Sequence, residues 1–221
     1  MADDSKSYII KKASAGHALV IGNSKYEKAT PLPEAAKDAE RMEEVLKKRG
    51  YKVTRKENQT GDEIRDLVFA MRQAKDHGDS FVFYFTGHGN KGYLAGVDSD
   101  PVEYLAVETE LKSAQCKPLS GKPKIIFYDC CRGEKPMGDM KPNADMLVGF
   151  ATLDGYSAYG KAKDGSTGDC SKWTYHLAKA LETQNDIMYA LVDANGKMDD
   201  DTAGNQVAEF HSRFDRAVKF E

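Results

Sequence analysis

The sequence has little of what marks several common classes of protein. Its four cysteines include one adjacent pair and show no regular spacing, which argues against a disulfide framework. A formal net charge of −3 provides no basic surface for nucleic acid or for an anionic membrane, so we expect neither partner. No apolar run reaches the roughly 18 residues of a membrane span, and the start of the chain lacks the features of a secretory signal. We therefore expect a cytoplasmic protein whose cysteines are thiols.

Apolar runs alternate with amphipathic segments along the chain, without an internal repeat. Strands are predicted at residues 17–23, 51–57, 79–89, 122–133 and 146–153. Helices are predicted at residues 35–50, 60–78, 107–116 and 171–184, with Thr60 as an N-cap. Strands joined by helical crossovers favour a parallel sheet covered on both faces, so the pattern predicts one α/β domain.

Two of the predicted strands end on residues that can do chemistry, His88 and Cys131. In open α/β sheets ligands bind beyond the carboxyl ends of the strands, so these residues are the first candidates for a site. Because side chains alternate along a strand, Asp129 and Cys131 are expected on one face and Cys130, as a buried structural residue, on the other. The spacing alone does not tell whether the two strands are neighbours, and a lone His88 could equally be a turn residue.

Four segments stand out in order along the chain: HALVIGNSKYEKATPLPEAAKDAERMEEVLKKRGYKV, FYFTGHG, KIIFYDCCRGE and GFATLDGYSAYG. Together they resemble the landmark segments of the caspase, paracaspase and metacaspase superfamily of cysteine peptidases, over roughly residues 15–185. Residues 129–133 stand where caspases carry Gln-Ala-Cys-Arg-Gly, with His88 upstream. The resemblance implies the caspase-like (caspase–hemoglobinase) α/β fold, a three-layer sandwich with about six mostly parallel strands between helices.

The resemblance also implies how the chain is divided. Residues 1–221 are expected to form one peptidase domain, with 1–133 as the large part, 134–146 as the connector and 147–221 as the small part. Caspases are activated by cleavage between the two parts, and an enzyme specific for basic residues could cut itself at this junction. The basic residues there are Arg132, Lys135 and Lys141.

By the resemblance, Cys131 is the nucleophile and His88 the general acid and base of a cysteine endopeptidase. Gly89 matches the glycine whose backbone N–H joins that of Cys131 in an oxyanion hole. Gly87 is interpreted as a turn former. The implied role is proteolysis in regulated signalling or cell death.

Specificity is where the sequence departs from caspases, which cut after aspartate. Caspases line the pocket for the residue before the cut with arginines and a glutamine, whereas Asp129 holds the glutamine position here and the segment PLPEAAKD lacks the first arginine. Paracaspases and metacaspases share acidic residues that match Asp129 and Asp38. Two carboxylates in a partly desolvated pocket select a guanidinium or an ammonium group, so we predict cleavage after Arg or Lys. The alternative for Asp38 is a solvated carboxylate on an exposed helix face.

Within the superfamily the residues favour the paracaspase type, because an arginine follows Cys131 where metacaspases usually have His-Ser-Gly. Metacaspases also commonly need calcium, but the aspartates that could bind it lack the spacing of an EF-hand loop and are interpreted as solvated charge. They are Asp98, Asp100 and Asp199 to Asp201. No metal or other cofactor is therefore expected. One departure is that the acidic residue following the late strand of paracaspases aligns with Gly160, for which Asp154 is the nearby replacement.

Alternative interpretations stay open. The chain could be a catalytically inactive caspase-like scaffold, although retention of His88 and Cys131 argues against it, or an aspartate-specific caspase. A metal site formed by His88, Cys130 and Cys131 is disfavoured because the C-x-x-C spacing is missing. Finally, residues 205–221 are predicted either as a last strand, through which two copies would pair as a homodimer, or as a capping helix.

Overall fold

A central sheet and two layers of helices make up the computed structural model. It describes residues 7–90, 92–133, 143–153, 155–158, 160–161, 165 and 167–221. The strands are β1 Tyr8–Ile10, β2 Gly16–Gly22, β3 Tyr51–Glu57, β4 Ser80–Thr86, β5 Gly89–Asn90, β6 Tyr93–Ala95, β7 Pro101–Glu103, β8 Lys124–Asp129, β9 Met146–Phe150, β10 Glu209–Ser212 and β11 Val218–Phe220. The α-helices are α1 Pro33–Lys48, α2 Gly61–Gln73, α3 Tyr104–Leu111, α4 Lys172–Thr183 and α5 Ile187–Thr202.

The central sheet has six strands in the order β10-β9-β8-β4-β2-β3. All neighbours are parallel except β10, which runs antiparallel to β9 at one edge. Strands β4 and β8 are buried along their whole length, which explains their nearly continuous apolar sequences. The predicted fold class, a mostly parallel six-stranded sheet of the caspase-like type, is confirmed.

Each face of the sheet carries its own hydrophobic core. On one face, α1, α4 and α5 pack through residues such as Met42, Leu177 and Ala190. On the other face, α2 and α3 pack through residues such as Ile64 and Val107. The result is the three-layer sandwich that the sequence predicted. Helix α2 begins as expected at Thr60. The Thr60 hydroxyl accepts from the backbone N–H of Glu63, and the Glu63 carboxylate accepts from the backbone N–H of Thr60.

Some elements differ from the sequence prediction. Helix α3 begins three residues before the predicted start at 107 and ends at Leu111, well before 116. Helix α5 was not predicted, and Asp199 to Asp201 lie in its last turns. Of the alternatives for residues 205–221, the strand is the better one: β10 forms the sheet edge beside β9, and β11 pairs in parallel with β1. Among the described residues, no helix has the length and apolar character needed to cross a membrane.

Candidate active site

The carboxyl ends of β4 and β8 lie side by side in the sheet. Their parallel register places Thr86 opposite Asp129, and His88 and Cys131 each follow two residues later. The backbone N–H of Gly87 donates to the carbonyl of Asp129 at 3.1 Å and joins the two strand ends. The fold thus brings together two residues whose proximity the sequence spacing could not establish.

A cavity of about 120 Å³ lies at this end of the sheet. Its walls include His88, Cys131, Asp38 and Asp129, so the structure brings the four principal predicted site residues to one place. Among the residues that the structure describes, the walls contain no lysine or arginine. The described walls of this cavity therefore lack the arginines expected of an aspartate-specific enzyme.

The imidazole of His88 is held by the loop between β2 and α1. Its Nε2 lies 2.7 Å from the carbonyl oxygen of Thr30. Since a carbonyl can only accept, Nε2 carries the hydrogen and Nδ1 keeps the lone pair. The backbone N–H of His88 donates to the hydroxyl of Tyr26 at 2.7 Å, and the two rings pack with centroids 4.5 Å apart. Neither Thr30 nor Tyr26 was a predicted site residue, because no local motif marks them.

The two adjacent cysteines occupy different environments, as the strand alternation predicted. Cys130 is buried in the core on the α2 and α3 face of the sheet, where its Sγ lies 3.2 Å from the hydroxyl of Tyr104. Burial raises the pKa of its thiol to about 12. Cys131 is partly exposed in the cavity wall. The more accessible thiol is therefore that of Cys131, and the contact of Cys130 with Tyr104 weighs against a metal site shared by both cysteines.

Gly89 passes directly against the end of β8. A β-carbon at this position would lie 2.6 Å from Sγ of Cys130 and 3.0 Å from the carbonyl oxygen of Cys131, so only glycine allows so close an approach. The backbone of Gly89 is thereby placed next to Cys131. An oxyanion hole formed by these two residues needs this proximity, and the role itself stays a prediction.

Asp38 and Asp129 form a buried pair of carboxylates. Asp38 is 0% exposed, so the alternative of a solvated carboxylate on the surface of α1 is wrong, and Asp129 is 5% exposed. Burial raises the pKa of both groups, and the charge of Asp129 further raises the pKa of Asp38. Two such groups resist being ionised together unless a cation enters the cavity.

Hydroxyl and backbone donors hold this pair in place. Ser171 donates its backbone N–H to Oδ1 of Asp38 at 2.8 Å and its hydroxyl to Oδ2 of Asp129 at 2.6 Å. Thr86 donates to Oδ2 of Asp38 at 3.1 Å, and Thr174 donates to Oδ2 of Asp129 at 2.6 Å. Ser171 is also the N-cap of α4. No local motif marks this supporting role, although Ser171 opens the predicted helix.

Two predictions, the pocket residue Asp154 and self-cleavage near the connector, concern residues that the structure does not describe or that it buries. Asp154, Lys135 and Lys141 lie outside the described residues. Arg132 is buried at 1% exposure, pairs with Glu209 and lies 4.0 Å from the ring centroid of Phe150. A buried and paired side chain cannot enter another active site, so Arg132 is unsuited to be a self-cleavage position.

The aspartates considered for calcium also have structural partners. Asp98 accepts from the backbone N–H groups of Gly61 and Asp100, and Asp100 forms an ion pair of 2.6 Å with Arg65. Asp201 contacts the ring of His176 at 2.7 Å. Asp98 and Asp100 thus take part in a helix start and an ion pair, whereas Asp199 to Asp201 are exposed on α5, as expected of solvated charge.

Comparison with known proteins adds independent findings. A family model described as Peptidase_C14, Caspase domain, matches residues 15–219. Caspase-3 of Mus musculus is 27% identical over 180 residues, which cover 72% of this chain and 64% of the relative. A Caenorhabditis elegans protein named "Putative inactive caspase B" is 29% identical over 133 residues, or 60% of this chain and 49% of that protein. The chain thus spans less than two thirds of the length of these curated relatives.

The fold also matches a solved structure, the crystal structure of caspase-1 from Spodoptera frugiperda. The TM-score is 0.85, and the match covers 100% of this chain and 95% of that chain at 21% sequence identity. At that identity the likeness concerns the fold alone. These similar proteins are named as caspases, and they leave the paracaspase subtype a prediction.

Proposed function

Because the chain belongs to the caspase-domain family of cysteine peptidases, we propose that it cleaves peptide bonds with Cys131 as the nucleophile and His88 as the general acid and base. Both side chains line one cavity, and the Thr30 carbonyl orients the imidazole. Gly89 is the proposed second donor of the oxyanion hole. The expected substrates are proteins or peptides cut in regulated signalling or cell death.

In the proposed mechanism the thiol of Cys131 gives its proton to Nδ1 of His88, the ring nitrogen that the Thr30 contact leaves as acceptor. The thiolate attacks the substrate carbonyl, and the N–H groups of Gly89 and Cys131 stabilise the negative oxygen. Losing one such donor typically costs about 2.7–4 kcal/mol of barrier. The imidazolium then protonates the leaving amine, and water hydrolyses the remaining thioester.

The proposed specificity is for Arg or Lys before the cut bond, as in the paracaspase type. One observation carries it: Asp38 and Asp129 are buried in the same cavity as Cys131 and have no cationic partner in the described walls. A substrate guanidinium or ammonium would supply the missing charge, since a buried carboxylate is costly when unpaired and favourable when it accepts charge-assisted hydrogen bonds. An acidic substrate side chain would meet like charge.

Fluorogenic peptides that differ only in the residue before the cut, Arg, Lys or Asp, test the proposal. We expect cleavage after Arg and Lys, none after Asp, and equal rates with calcium or with a chelator. The variant Cys131→Ala should be inactive, while Cys116→Ala, which removes a buried thiol beside His77, should keep its activity. Cleavage after Asp would overturn the pocket assignment, and dependence on calcium would favour a metacaspase.

A second candidate function is an inactive scaffold. It is considered because one similar protein is named as a putative inactive caspase. An arginyl ketone inhibitor separates the two. Alkylation of Cys131 that needs the intact His88 supports the peptidase. A chain that is folded but is not alkylated, and that cleaves none of the peptides, would support the scaffold.

Self-cleavage in the connector is proposed only at Lys135 or Lys141, since Arg132 is buried. Incubating Cys131→Ala protein with the active protein should convert it into two fragments, and Lys135→Gln with Lys141→Gln should prevent this. Unchanged single bands in both samples would argue against self-cleavage.

A further inference from the structure

A third carboxylate, which no sequence motif marks, lines the cavity. Glu34 occupies the first turn of α1, is half-buried, and lines the same cavity as His88 and Cys131. A β-carbon at Gly160 would lie 2.6 Å from Oε1 of Glu34. The carboxylate of Glu34 therefore fills the space in which a side chain at position 160 would begin.

The charge of Glu34 acts on Asp129, one member of the buried pair. Burial is the main cause that raises the pKa of Asp129, and Glu34 adds a Coulombic contribution in the same direction. Glu34 is more accessible than Asp38 and Asp129, so it lies on the side of the cavity nearer to solvent. A cationic side chain entering the cavity would meet Glu34 and the inner pair together.

We propose that Glu34 is a specificity-determining residue that favours arginine over lysine before the cut bond. This inference rests on the proposed function. A guanidinium presents five N–H donors in a planar fork, so it can contact the inner carboxylates and Glu34 at once. An ammonium group is a compact charge that satisfies the inner pair and gains less from a second, outer carboxylate.

Glu34 also has a structural role that the test must separate from this one. An acidic residue in the first turn of a helix is favourable because it lies near the positive end of the helix dipole. Losing that effect would change cleavage after Arg and Lys alike. The ratio of the two kcat/KM values is therefore the informative quantity.

The first experiment measures kcat/KM for matched Arg and Lys peptides with the Glu34→Gln variant. We expect the Arg value to fall about fivefold to tenfold and the Lys value by less than about twofold, mainly through KM. Glu40→Gln is the matched control, since Glu40 is exposed on the same helix and pairs with Lys37. It should leave the ratio unchanged.

The second experiment moves the carboxylate from position 34 to position 160, whose β-carbon would lie against the space that Glu34 fills. In the double variant Glu34→Ala with Gly160→Glu, a glutamate at position 160 would enter the space vacated by Glu34, and the Arg preference should return. Equal losses for Arg and Lys, or an unchanged ratio in Glu34→Gln, would overturn the inference while the proposed function stands. Failure of the wild type to cleave either peptide would overturn both.

Discussion

Ser171 joins both buried carboxylates of the cavity through two different groups, its backbone N–H and its hydroxyl. This arrangement keeps Asp38 and Asp129 close in the absence of a cation, at a cost in stability. Their raised pKa values mean that the folded chain binds protons more tightly than the unfolded chain does. The stability they contribute is thus present at low pH and is lost as the pH rises through the raised values.

We expect Asp129→Asn to lower kcat/KM for Arg and Lys peptides at least about tenfold, since a charge-assisted hydrogen bond is lost. The same change should raise the free energy of unfolding at neutral pH by about 1–2 kcal/mol, because an amide has no charge to bury. Peptide kinetics and urea unfolding measure the two effects. Asp66→Asn, at an exposed position on α2, is the control. A variant with lower stability at neutral pH would contradict this account.

The sequence could identify some site residues and not others for a physical reason. His88 and Cys131 follow apolar strands and Asp129 ends one, and a local pattern marks such positions. Tyr26 reaches His88, and Ser171 reaches the cavity, only because distant segments fold together. For the same reason, the paracaspase pattern shows that position 160 lacks an acidic side chain, but only the fold shows that Glu34 lies beside that position.

Helix α3 carries a buried carboxylate on the face of the sheet away from the cavity. Glu108 is 2% exposed, and its Oε1 has no hydrogen-bond partner among the described residues. Burial raises its pKa to about 7. The helix therefore contributes more stability when Glu108 is protonated, and this contribution is lost as the pH rises from the ordinary range of a glutamate through about 7.

Comparing Glu108→Gln with the wild type by urea unfolding between pH 4.5 and 8 tests this. The stability of the variant relative to the wild type should rise across that range by about 3 kcal/mol. If the amide packs less well, the stability of the variant is lowered by the same amount at pH 4.5 and at pH 8. The difference between the two pH values is then unaffected. Glu110→Gln, at a partly exposed position on the same helix, controls for substitution in α3. A difference that is constant with pH would refute the prediction.

The elements that the sequence predicted best are those whose apolar residues recur with the period of a strand or a helix. The apolar runs of β4 and β8 and the amphipathic pattern of α1 specify local structure directly. Helix α5 lacks such a pattern, since Gly196 and a run of aspartates interrupt it, and its start depends on a cap by Asp186. Strand β10 is short and polar, and its pairing with β9 is a long-range contact that no local window reveals.

At the scale of the whole molecule, β10 at the sheet edge is the predicted dimer surface. Arg213, just after β10, donates its backbone N–H to the carbonyl oxygen of Met146, the first residue of β9. Because N–H groups alternate along a strand, those of Phe210 and Ser212 point away from β9. Ser212→Pro should thus abolish pairing between two copies and keep the sheet intact. Light scattering after size exclusion should show a dimer for the wild type and a monomer for the variant. A monomeric wild type would end the dimer prediction.

The parallel pairing of β1 with β11 crosses the boundary between the large and small parts, as do the pairing of β8 with β9 and the packing of α1 on α4. The two fragments of a chain cut between residues 133 and 143 would therefore stay associated through these noncovalent contacts. It should migrate as one species in a native gel and separate into two fragments only on denaturation. Neither fragment alone would hold Asp38 together with Ser171, so recognition of a basic substrate would vanish with separation and return only on reassembly.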